Sequence, residues 1–298
     1  MRRPLAIPIL LSAALCACQR PPPATRGIPP AAADGVRRWL AGATPDGTPA
    51  TPRPPVDRGF LALGAEVYRL RCIPCHGVNG NGKGIHAARL SVPSRDFTRG
   101  VYEFRSTPTG TLPTDLDLFR TVSRGVHGTA MIPWNWLGDA ERWAVVEHVK
   151  SFSPRFREEG AGDPVLVPPA PDETPALVAL GATAWVRNGC GKCHGETGEG
   201  DGPSAATLRR DGGSPVRPLP FSAGRFLRGN SMEDLWITLA TGLDGTPMPS
   251  YAAVPPEELW ALSAWVRDRA GLAGAPPGRA LPPDADEQLG WRIDIEER

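Results

Sequence analysis

The chain has 298 residues, room for roughly two domains of about 100 to 200 residues each. With 41% hydrophobic and 22% charged residues it can bury a core, which excludes wholesale disorder. Its 33 basic and 32 acidic side chains leave a formal charge of +1, too small a basic excess for a nucleic-acid partner, and 35 prolines with 34 glycines predict loops and linkers over sheets or long helices.

Residues 1–17 read as an export signal. Arg2 and Arg3 precede an apolar run from Leu5 to Ala17 that is too short to span a bilayer as a mature helix. Leu15-Cys16-Ala17-Cys18 resembles a bacterial lipoprotein box. The resemblance implies cleavage before Cys18 and acylation of its thiol, which would make the protein periplasmic or extracytoplasmic and lipid-anchored to a membrane. An ordinary secretory signal with incidental Cys16 and Cys18 is the alternative. Gln19 agrees weakly with outer-membrane sorting, by analogy only. Residues 18–57 are proline-rich and lack hydrophobic periodicity, so they read as an extended tether.

Beyond the tether the chain holds two copies of one unit, 58–155 and 175–272, joined by a proline-rich linker at 156–174 and followed by an acidic tail at 273–298. Each unit opens with a helix that carries an aromatic residue and runs into a Cys-x-x-Cys-His pentapeptide: Cys72-Ile-Pro-Cys75-His76, then Cys190-Gly-Lys-Cys193-His194. A glycine-rich loop comes next, then a short middle helix, a GT-x-M loop and a closing amphipathic helix. At an offset of 117, residues 116–131 lie over 233–248, Trp143 over Trp260 and Val149 over Val266. Thr114 and Ser231 are candidate N-caps of the middle helices, with Asp117 and Asp234 three residues on, and Gly271 suits the end of the last helix.

Cys-x-x-Cys-His is the attachment pattern of a c-type haem. Two thiols at that spacing add across the two vinyl groups of one porphyrin, which leaves the adjacent histidine beneath the iron as proximal ligand. Cys72, Cys75, Cys190 and Cys193 are therefore the expected thioether positions, and His76 and His194 the expected iron ligands. Disulfides, a zinc site assembled from both pairs and a CxxC redox site are the competing readings, and none of them calls for the histidine twice.

The sequence resembles class I-type cytochromes c in tandem dihaem form, on the two pentapeptides and the two GT-x-M loops. The resemblance implies an all-α fold of two domains, each wrapped around one covalently bound haem c, with methionine as second axial ligand. Met1 leaves with the signal, and Met232 has Asp115 as its counterpart, so Met131 and Met248 are the expected ligands. Where the family writes Met-Pro, the first unit has Met131-Ile132-Pro133, and His127 four residues earlier is a competing ligand. Phe97 and Phe221 are expected to line the two pockets and the tryptophans to pack the core, with His86 and His148 at the surface.

The implied activity is single-electron transfer between redox proteins, without catalysis and without a small-molecule substrate. A dihaem cytochrome c peroxidase and a permanent haem subunit of a larger membrane-associated oxidoreductase are the alternatives. Residues 58–155 carry 13 basic and 8 acidic side chains, residues 172–272 carry 9 and 12. That asymmetry either orients the two units toward different partners or draws the units to each other.

Overall fold

The computed structural model describes residues 47–275. The signal, Cys18, most of the tether and most of the acidic tail lie outside the described residues. Within them the fold is helical. No strand forms, and the one isolated β-bridge joins Arg209 to Pro215. No described helix is long and apolar enough to cross a membrane.

The first unit contains α1 (Arg58–Arg71), α2 (Ile73–His76), α3 (Asp115–Arg124), α4 (Asp139–Lys150) and α5 (Arg155–Glu158). The second contains α6 (Pro175–Arg187), α7 (Gly191–His194), α8 (Met232–Thr241) and α9 (Pro256–Arg269). Asp57 starts α1 by accepting the Phe60 N–H at 2.8 Å, and its buried stripe, Phe60, Gly64, Val67 and Tyr68, has helical spacing. Thr174 caps α6, with Pro175 at the first helical position, where a missing N–H costs nothing.

In each unit the opening helix crosses the closing helix at a glycine. A Cβ on Gly64 would sit 2.1 Å from the Ala144 carbonyl oxygen, and one on Gly181 would sit 2.1 Å from that of Ala261. Both contacts fall at the same repeat positions, so the backbones of α1 and α4, and of α6 and α9, touch where any side chain would wedge them apart. The middle helices then pack aromatic residues on the closing ones: Phe119 on Trp143 at 4.2 Å, and at the equivalent positions Trp236 on Trp260 at 5.6 Å. The middle helices begin as expected. Thr114 Oγ1 accepts the Asp117 N–H at 3.1 Å in a full capping box, and Ser231 Oγ accepts the Asp234 N–H at 2.9 Å. Gly271 follows α9 with φ +65°.

The end of the tether and the linker are fastened where sequence composition suggested extended chain. Thr51 donates its N–H to Asp139 at 2.7 Å, and Arg53 pairs with Asp115 and Glu147. In the linker, Gly162 donates to the Leu112 carbonyl at 3.1 Å, Val165 to that of Ser106 at 2.7 Å, and Val165 and Val167 pack on the second unit's core. Proline content registers missing donors but not the partners that the remaining N–H groups find.

The units meet across a reciprocal joint. Arg105, fully buried, donates to the Thr241 carbonyl at 2.8 Å and to Asp244 at 2.7 Å. Asp244 also accepts from Thr109 Oγ1 at 2.7 Å and from the Gly110 N–H at 2.8 Å. In return Arg228 donates to the Arg105 carbonyl at 2.8 Å and lies 3.6 Å from Asp117. Arg124 reaches Asp234 at 3.3 Å, and Arg210 pairs with Glu103.

Candidate haem sites

α1 delivers Cys72 to the start of the α2 turn, and the Cys72 N–H bonds the Tyr68 carbonyl at 2.9 Å, so the two helices run almost without a break. α7 presents Cys190, Cys193 and His194 in the same turn, with the His194 N–H on the Cys190 carbonyl at 3.0 Å. One aromatic side chain per unit ties the following glycine loop down. Tyr68 Oη donates to the Gly77 carbonyl at 2.8 Å and Trp185 Nε1 to the Gly195 carbonyl at 3.2 Å. Sequence comparison pairs these aromatics, but their donor role is visible only in the fold.

Cys72, His76, Phe97, Met131, Trp134 and Val149 line one partly open cleft in the first unit. Apart from Arg71 and His76 its lining carries no ionisable nitrogen, a surface suited to the face of a porphyrin. The expected pocket residue Phe97 stacks on the His76 ring at 4.5 Å. In the second unit the His194 ring meets those of Phe221 at 5.3 Å and Trp185 at 5.8 Å, and Met248 packs on the cluster that contains Trp185, Cys190 and Phe221. The tryptophans behave as core residues: Trp143, Trp185, Trp236, Trp260 and Trp265 are all buried.

The two methionine loops carry the same hydrogen bonds. Val126 donates to the Met131 carbonyl at 2.8 Å, and the Met131 N–H bonds Thr129 Oγ1 at 3.1 Å. Leu243 donates to the Met248 carbonyl at 3.1 Å, and the Met248 N–H bonds Thr246 Oγ1 at 3.1 Å. At the departure the first loop adds one bond to the shared set, from the Ile132 N–H to the Ala130 carbonyl at 3.0 Å, which Pro249 cannot make. His127 is exposed and hydrogen-bonds the Phe226 backbone of the second unit. His86 is exposed as expected, whereas His148 is half-buried, its ring 4.9 Å from that of Tyr68.

Burial shapes the titration of the site. It pushes the Cys72 thiol up to about 12 and the Cys190 thiol up to about 11. It lowers His76 and takes His194 down to about 4, so both imidazoles are neutral at pH 7, the form that offers a lone pair to a metal. His76 Nδ1 lies 3.1 Å from the Arg95 carbonyl, which identifies the oxygen that orients this ring, while His194 Nδ1 has no partner among the described residues. A further feature escaped the sequence reading. The Tyr251 hydroxyl bonds the Cys190 thiol, and its repeat counterpart Trp134 lines the first cleft. Their shared offset of 117 was the available signal.

No disulfide joins the four cysteines of the pentapeptides, and no group of three or more His, Cys, Asp or Glu side chains among the described residues converges as a metal cage. The donor set thus fits a haem and not disulfides or a shared zinc: two thiols, a neutral imidazole and a thioether per unit, with an apolar cleft between them in the first.

Comparison with known proteins agrees with this geometry. The family model described as cytochrome c matches residues 61–153 and again 178–270. Among solved structures, a chain of the Kuenenia stuttgartiensis reducing HAO-like protein complex is similar, with 39% sequence identity and a TM-score of 0.70, over 74% of this chain and 99% of that one. Comparison with curated proteins gave no match. Two matched units, each with its own Cys-x-x-Cys-His turn, make this chain a member of the cytochrome c family: an electron-transfer protein with two domains in tandem and two covalently bound c-type haems.

Proposed function

We propose that the protein is exported, anchored through a lipid on Cys18, and passes single electrons between redox proteins on the outer side of a membrane. Cys72, Cys75, Cys190 and Cys193 form the thioethers, His76 with Met131 ligates one iron, and His194 with Met248 ligates the other. A haem bound in this way supplies a one-electron couple whose potential the neutral sulfur ligand raises. The chain's own part is to hold both ligands fixed so that little rearranges between oxidation states.

The observation that carries this reading is that the backbone and threonine hydrogen bonds which hold Met131 recur at Met248. A peroxidase needs one iron with an opening sixth position, and neither loop is built differently from the other to provide it. The similar chain belongs to a reducing HAO-like protein complex, which favours a role beside a catalytic partner protein over a solitary one. The lipoprotein-type leader favours the extracytoplasmic side of a membrane.

The test is the sulfur-to-iron charge-transfer absorbance of the ferric protein. Met131→Ala and Met248→Ala are each expected to remove about half of it, and His127→Ala none. Full absorbance in Met131→Ala, or a gain in His127→Ala, overturns the ligand assignment. The mass of the mature protein reads the Cys18 lipid directly.

A further inference from the structure

Each unit's methionine loop rests on the segment that lines the other unit's proximal histidine. Gly245, three residues before Met248, lies against the first unit: a Cβ there would be 3.4 Å from Val101 Cγ1 and 3.5 Å from Arg95 Nη1. Arg95 is the residue whose carbonyl stands 3.1 Å from His76 Nδ1. In the other direction His127, four residues before Met131, bonds the Phe226 backbone. The Phe226 ring is 5.7 Å from that of Phe221, which in turn is 5.3 Å from the His194 ring. The ligand-bearing segments of the two sites are thus crossed at the joint.

The two crossings differ in chemistry. The one at His194 is made by rings and a single hydrogen bond, the one at His76 by a charged arm. Arg95 donates to Glu103, and Glu103, whose side chain is 4% exposed, also accepts from Arg210 of the second unit. A carboxylate so buried is costly unless it is paired, and here one cation from each unit shares it. The next residue, Asp211, donates its N–H to the Gly245 carbonyl at 3.1 Å. Glu103 therefore holds the Arg95 guanidinium on one side and, through Arg210 and Asp211, the backbone of Gly245 on the other. The counterpart position in the second unit has no such arm. Leu219, which precedes Phe221 by two residues as Arg95 precedes Phe97, is apolar and 41% exposed.

We propose that Arg95 is a positioning residue for both irons: its carbonyl orients His76 in the first site, and its guanidinium, pinned by Glu103, seats the methionine loop of the second site at Gly245. The ligand geometry of the second iron then depends on a side chain of the first unit. A cation fixed beside an iron ligand also favours ferrous iron, which carries one positive charge fewer than ferric. This inference rests on the ligand assignment proposed above.

The test uses the complete dihaem protein. In the ferrous state the methyl group of a ligating methionine lies over the porphyrin, whose ring current gives it a proton resonance far upfield, one for each ligated iron. Met131→Ala and Met248→Ala should each remove one resonance and so assign the pair, and Met131→Ala also identifies the midpoint potential of the first haem. Arg95→Gln alters only the first unit and keeps the carbonyl. It is expected to shift the Met248 resonance of the second unit, and to lower the first midpoint by on the order of tenfold in the electron equilibrium, about 59 mV for one electron. Arg95→Lys keeps the charge and returns most of that potential. Arg69→Gln removes an exposed charge from the same unit and moves neither signal. A Met248 resonance unmoved in Arg95→Gln, or a first midpoint as low in Arg95→Lys as in Arg95→Gln, overturns the proposal. Should Arg95→Gln lose a haem, Glu103→Gln releases the same arm, and an unmoved Met248 resonance there refutes the proposal equally. Failure of the two methionine variants to remove one resonance each overturns the ligand assignment instead.

Discussion

Replacing Arg105 by methionine tests whether the two units form one cooperative body. The guanidinium is fully buried and reaches four acceptors: the carbonyls of Tyr102 and Pro108 at 3.2 Å, that of Thr241 at 2.8 Å, and Asp244 at 2.7 Å. Methionine keeps most of the volume and removes every donor. Breaking a buried ion pair on one side typically costs about 3 to 5 kcal/mol. Two facts place this case lower. The Asp244 side chain is 18% exposed, and it retains Thr109 and Gly110 as donors. About 2 to 3 kcal/mol is the resulting figure, mostly from stranded carbonyls. That range corresponds to about 30- to 150-fold in the equilibrium between a closed and an open joint. Scanning calorimetry of the dihaem protein is the assay. The parent melts in one transition, and the variant in two, the lower displaced by about 5 to 10 °C for a body of about 200 residues. Arg58→Met, at an exposed position in the first turn of α1, should change nothing beyond about 0.5 kcal/mol. If Arg105→Met melts as one transition within about 1 °C of the parent, the joint is not held as described.

Gly181→Ala places a methyl 2.1 Å from the Ala261 carbonyl oxygen and 2.6 Å from Trp265 Cβ, so α6 and α9 must separate. Overpacking of this kind costs about 3 kcal/mol, and denaturant titration should show the loss as a lower midpoint of the parent's single transition. Tyr68→Phe removes one hydrogen bond to the Gly77 carbonyl and should cost about 1 kcal/mol in the first unit, read by the same titration.

Much of this architecture is legible in the residues because the chain repeats itself. Cys-x-x-Cys-His needs no fold to be recognised, since the spacing is dictated by the porphyrin. The caps at Thr114 and Ser231 are local chemistry, decided within four residues, and they form as read. Met131 is proposed as a ligand because Met232 and Met1 fail for reasons visible in sequence. What stays hidden depends on distance along the chain. Arg95 is an unremarked arginine until the fold brings its carbonyl, 19 residues on, to His76 Nδ1. Gly64 and Gly181 align with each other, yet only the crossing carbonyls of Ala144 and Ala261 explain them. The tether's last residues look extended because ten prolines between 19 and 57 dominate their composition, while Arg53, which binds Asp115 and Glu147, leaves no local mark.

The joint is the strongest case of that kind, and its logic follows from duplication. Arg105 and Arg228 each precede the middle helix of their own unit, and Asp117 and Asp234 stand at the same place in those helices. Arg124 and Thr241 close them, 117 residues apart. In the fold the closing residue of each helix donates to the backbone carbonyl before the other helix: Arg124 to Arg228 at 3.3 Å, Thr241 to Arg105 at 3.3 Å. A contact between unlike positions of two similar units is made twice when the units face each other about a near two-fold axis. The closing residues of the two middle helices thus serve the joint in both directions, whereas Arg105 and Arg228 stand at different repeat positions and reach across by separate contacts. The repeat is broken inside the joint as well: Asp244, which binds Arg105, Thr109 and Gly110, stands where the first unit has His127, which bonds the Phe226 backbone, so duplication supplied the framework of the contact and later substitution its ion pairs.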